Sequence, residues 1–145
     1  MVGRKKRYAL ADTAQQVVGG FLLAGPFVVT EEVWALATQM AWYHVLMTVG
    51  IVAGIGYGAL YEADDGRDPE KEADVAGVPV RFVSLMLVAY GAVLLLALSF
   101  RAPRTFAANL ELQVDTIGLA VFTLKATSVG AVFSVVGAAT ADSVF

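Results

Sequence analysis

From Phe82 to Phe100 the chain carries no charged residue, and only Ser84, Tyr90 and Ser99 soften the run. A stretch of about twenty apolar residues without a charge fits the hydrocarbon core of a bilayer and little else. Three further apolar stretches follow the same rule, at about residues 13–38, 41–60 and 116–141. Their hydrophobic residues come in runs and not at alternating or one-in-three spacing, which is the membrane signature. Composition agrees: 58% of the 145 residues are hydrophobic and 16% are charged, where a soluble domain carries roughly 25% charged residues. The expected fold is therefore all-α, a polytopic membrane bundle of four transmembrane helices forming a single domain over residues 1–145.

The same composition excludes several chemistries. There is no cysteine, hence no disulfide or thiolate ligand, and His44 is the only histidine. No nucleophile–base pair or phosphate loop stands out, so the chain is not read as an enzyme and no cofactor or metal is expected. Arg4, Lys5, Lys6 and Arg7 form one basic cluster beside an apolar run. That is a topology signal more than a nucleic-acid surface, and no nucleic-acid partner is expected. Asp12, Gln15 and Gln16 interrupt the approach to the first apolar run, which is read as a retained span and not a cleaved leader.

The first span contains the least ordinary stretch, Gly25-Pro26-Phe27-Val28-Val29-Thr30-Glu31-Glu32-Val33-Trp34. Pro26 lacks the N–H that would bond the carbonyl of Leu22, so a kink or break is expected there. Thr30 followed by two acids reads as a fresh helix start, because a hydroxyl can cap and the macrodipole favours acids in a first turn. Either a kinked helix continues to about Gln39 or a short second helix begins at Thr30.

In the second span Gly50, Gly54 and Gly58 recur every four residues, with Gly56 beside them; in the fourth, Ala126, Gly130, Ser134 and Ala138 do the same. Such ridges let backbones approach closely. Two of them exceed what one thin bundle needs, so a homo-oligomer is expected. Trp34, Trp42 and Tyr43 are expected as interfacial anchors, with His44 at the same boundary. Seven acids crowd between Glu62 and Asp74. Their spacing does not match a calcium loop, and residues 62–77 are read as a solvated loop in which Asp68-Pro69-Glu70 caps a short helix. Residues 105–114 are read as an interfacial helix. Counting lysine and arginine places both termini in the cytoplasm of a cell-membrane protein.

Charges inside spans mark functional candidates. At the helical rise per residue, Glu32 lies roughly 12 Å and Lys125 roughly 15 Å from the same boundary. Lys125 is therefore expected to pair with Glu31 or Glu32. Three readings follow: a static clamp, a proton or ion path formed by Thr30, Glu31, Glu32, Lys125 and Ser128, or acids at the wet boundary. The functional expectation is a channel- or transporter-like protein for an ion, proton or small solute. The alternative is a non-conducting scaffold that binds a partner protein, lipid or pigment.

The segments Gly19-Gly20, Gly25-Pro26 and Thr30-Glu31-Glu32-Val33-Trp34, with the late run Lys125-Ala126-Thr127-Ser128-Val129-Gly130-Ala131, resemble the small prokaryotic integral membrane proteins grouped as domain of unknown function 2391. The late run departs from that pattern in having a lysine and no proline. The resemblance implies a membrane protein and draws interest to Glu32 and Trp34.

Overall fold

The computed structural model describes residues 9–62 and 67–144. The basic cluster Arg4 to Arg7 and the loop acids Asp64 and Asp65 lie outside them. The described residues are all-α apart from one short hairpin: α1 Leu10–Val28, α2 Glu31–Thr38, α3 Trp42–Tyr57, β1 Asp74–Val75, β2 Val78–Pro79, α4 Val80–Ser99, α5 Ala102–Asn109 and α6 Thr116–Val144. A π-helical turn, Gly58–Glu62, extends α3, and a 3-10 turn, Pro69–Lys71, precedes the hairpin. Three helices are long and apolar enough to cross a membrane, and α1 with α2 makes a fourth, broken span.

Helix α6 is the axis of the molecule. It packs against α1, α4, α3, α2 and α5, and half of its apolar window is buried within the chain, against 17% for α3. The tightest crossing is glycine on glycine. A Cβ on Gly19 would collide with the carbonyl of Gly137, and a Cβ on Gly137 with that of Gly19, so α1 and α6 touch backbone to backbone. Gly20 faces Ser134, and Gly130 receives Val93 of α4. The α6 ridge is thus a buried packing face, with Ala126, Ser134 and Ala138 all buried.

The α3 ridge behaves differently. Gly50, Gly54 and Gly58 meet nothing within 4 Å, and the glycine that packs in the chain is Gly56, against Met86, Leu85 and Val135. Small residues at four-residue spacing define a face but not its neighbour, and this ridge points away from the bundle.

The first span is broken, as its proline and acids imply. The break lies at Val29–Thr30, and α1 passes through Pro26 before stopping. Helix α2 departs at 77°. With 19 residues, α1 is roughly 28 Å long, close to a full hydrocarbon thickness. Thr30 precedes α2 in extended backbone, but its hydroxyl does not cap the new helix. It donates instead to the Phe27 carbonyl at 3.0 Å. The short helix expected over residues 105–114 begins earlier, at Ala102. Pro103 suits a first turn, where no N–H is missed.

The buried core divides in two. One cluster gathers Val28, Trp34, Val93, Ala97, Phe122 and Ala126 at the end of the molecule that holds the break. The other gathers Val52, Leu60, Leu85, Ala131, Val135 and Ala138 toward the opposite end. Along α6 the seam between them falls between Ala126 and Ala131.

Candidate functional site: a polar column along α6

The seam is polar. Thr127 and Ser128 of α6 are buried there, and Tyr90 of α4 lies opposite with its hydroxyl toward Ser128. A buried threonine in a membrane helix ordinarily bonds the carbonyl one turn back. Thr123 does so, donating to Leu119 at 2.8 Å. The hydroxyls of Thr127 and Ser134 are buried without a hydrogen-bond partner. A hydroxyl in that state costs about 1–3 kcal/mol, judged from protein mutations. Such groups persist where something polar comes to meet them.

About two turns beyond Ser134 along α6, Asp142 enters a buried ion cluster centred on Arg81. Its guanidinium donates to Glu72 at 2.7 Å, to Asp142 at 2.6 Å and to Asp12 at 3.3 Å. Arg67 lies 3.8 Å from the Asp142 carboxylate. Gln16 donates to Asp142 at 3.1 Å and accepts from Ser84 at 2.7 Å. Tyr61 faces Glu72. Side chains from α1, α4, α6 and the loop after α3 therefore meet at one point, where two guanidiniums face three carboxylates. The Asp142 side chain is completely buried, so removing its partners would leave a costly bare charge.

Sequence reasoning missed this cluster. It read Asp12 and Gln16 only as polar interruptions before the first apolar run. Asp12 serves the start of α1, accepting from the Ala9 N–H at 2.9 Å, and its carboxylate also reaches Arg81. Two signals were present. Asp12 and Gln16 are one turn apart on one face of α1. Arg81 and Asp142 also fall at the ends of spans that four-span topology brings to the same side.

The predicted acids are placed elsewhere. Glu31 and Glu32 are exposed in the first turn of α2, and neither pairs with Lys125. The expected ion pair does not form because the 77° turn at the break carries the acids away from the bundle interior. The Lys125 ammonium lies 5.7 Å from the centre of the Trp42 ring, a cation–π arrangement. Thr30 sits at the break, and Ser128 alone among the predicted path residues lies in the buried seam.

Trp34 is not an interfacial anchor: it is 1% exposed and packs between Phe106 and Phe122. Its indole N–H donates to the Val28 carbonyl at 2.9 Å, satisfying a backbone group freed by the break. Trp42 and Tyr43 are exposed. His44 accepts from the Ala41 N–H at 2.9 Å and so closes the start of α3. Among the described residues, no group of three or more histidines and acids is arranged to hold a metal ion.

The family described as "Putative integral membrane protein (DUF2391)" matches residues 2–144. The chain belongs to this family. As a DUF2391 member it is an integral membrane protein, in accord with its apolar helices. No curated protein and no solved structure matches it.

Proposed function

We propose that this DUF2391 protein is a small channel- or transporter-like protein that passes a proton, ion or small polar solute along α6, and that it is not an enzyme. The observation that carries this reading is the pair of unpartnered buried hydroxyls at Thr127 and Ser134. Together with Ser128 they run from the middle of α6 toward the Arg81 cluster. Transport sites commonly lie near mid-membrane depth, where polar groups meet between helices. Thr30, Glu31 and Glu32 would form a wet, negatively charged approach at the break, with Lys125 beside it. The two apolar clusters close the column, so passage requires them to part. In the orientation set by lysine and arginine, the Arg81 cluster faces the cytoplasm of a cell-membrane protein with both termini inside.

The test is flux across proteoliposomes holding the purified full chain, with protons, common cations and anions each supplied as a gradient. Flux is expected for one class, reduced at least severalfold by Ser128→Ala and by Thr127→Val. Absence of flux for every class, or flux indifferent to both substitutions, overturns the reading.

A second reading has its own support. The outward α3 face, with open glycines at 50, 54 and 58, suits a close helix–helix contact with another copy or a partner protein. A non-conducting accessory protein would use that face and not the column. Gly54→Leu would then abolish assembly, and the unaltered protein would pass no flux.

A further inference from the structure

A groove of about 570 Å³ opens between α4 and α6, alongside α5. Leu94, Leu98, Leu119 and Leu124 line it, and Leu98 and Leu124 are each more than half exposed. Its wall offers no free donor at Thr123, whose hydroxyl is bonded within α6. At the end where α4 gives way to α5, Arg101 and Arg104 complete the lining. Arg101 immediately precedes α5 in left-handed backbone and Arg104 lies in its first turn, and the two line the same groove. Both are exposed, and neither forms an ion pair among the described residues. The carboxylate of Asp115, at the start of α6, accepts from the Gly118 N–H at 2.7 Å.

We propose that this groove is a binding site for an anionic phospholipid, with the phosphate held by Arg101 and Arg104 and one acyl chain lying along Leu98, Leu94 and Leu124. Three features favour this occupant. The apolar length runs from the helix ends toward the middle of the span, the direction an acyl chain takes. The positive charge is confined to the end where a headgroup would sit. A guanidinium pair matches phosphate oxygens in geometry and charge. The ordinary alternative is a pair of arginines anchoring the span at the interface without lipid preference.

The test is native mass spectrometry of the full chain in mixed micelles with equimolar phosphatidylglycerol and phosphatidylcholine of identical acyl chains. Phosphatidylglycerol is expected to be retained about thirtyfold more, the effect of two basic groups near a headgroup. The double variant Arg101→Gln/Arg104→Gln removes the preference, while Lys71→Gln, also exposed, preserves it. On the unaltered protein, a photoactivatable phosphatidylglycerol should label peptides containing Leu94–Leu98 and Leu119–Leu124. Equal retention of both lipids overturns the proposal, as does a preference that survives in the double variant or labelling spread evenly over all spans. Displacement of the lipid by glycerol phosphate at equal concentration also overturns it, because the site would then recognise free phosphate without the chain.

Discussion

Trp34 shows how one side chain can make a break in a membrane helix tolerable. At Val29–Thr30 the carbonyls of Phe27 and Val28 lose their helical partners, and an unpaired carbonyl in an apolar setting costs several kcal/mol at the limit. Thr30 answers Phe27 and the Trp34 indole answers Val28. Trp34→Phe keeps most of the ring packing and deletes the donor. It should lower stability by about 1–3 kcal/mol, read as thermal unfolding in detergent by circular dichroism. Thermal behaviour equal to the parent would mean that the indole N–H is immaterial to the break. The hairpin offers the opposite case. Val75 pairs with Val78 across a two-residue turn, and Ala76 and Gly77 both have positive φ. That is the geometry for which asparagine–glycine is preferred. Left-handed backbone disfavours alanine by about 1–2 kcal/mol, so Ala76→Asn should raise hairpin stability by a fraction of that. Amide hydrogen exchange at Val78 is the readout; unchanged or faster exchange contradicts it.

At the level of elements, the glycines separate into two kinds that sequence spacing does not distinguish. Gly137 and Gly19 hold α1 and α6 in backbone contact, so Gly137→Ala must push the helices apart. A cost of about 1–3 kcal/mol is expected, as for other overpacked sites. Gly54→Ala points into open space and should slightly raise the unfolding temperature of the isolated chain, by helix propensity alone. The pair is decisive because helix propensity alone would make both substitutions favourable. The spans were legible because long uncharged runs such as Phe82–Phe100 have few other uses. The break was legible because Pro26, Thr30 and two acids conflict with one continuous helix. The direction of α2 was not legible. It follows from packing Trp34 between Phe106 and Phe122, residues distant in sequence, and this is why Glu31 and Glu32 face outward and not toward Lys125.

On the scale of the whole molecule, the Arg81 cluster ties α1, α4, α6 and the loop after α3 together by charge. Its members lie at positions 12, 67, 72, 81 and 142, so no local pattern could announce it. Each looks like an ordinary residue at a helix end until the spans are assembled. Replacing Arg81 by methionine would fill a similar volume and leave Asp12, Glu72 and Asp142 facing one another with Arg67 the nearby cation among the described residues. Breaking a buried pair in this way costs about 3–5 kcal/mol. Much of that cost is the uncompensated Asp142 charge and not a lost attraction. Arg81→Met combined with Asp142→Asn should therefore be more stable than Arg81→Met alone, although it carries one more substitution. Asparagine retains an acceptor for the Gln16 amide, which donates to Asp142 at 3.1 Å, while removing the charge. Thermal unfolding of the two variants side by side provides the measurement. If the double variant is the less stable of the two, Asp142 is held by contacts other than its ion pair, and the cluster is not the electrostatic tie that joins this end of the bundle.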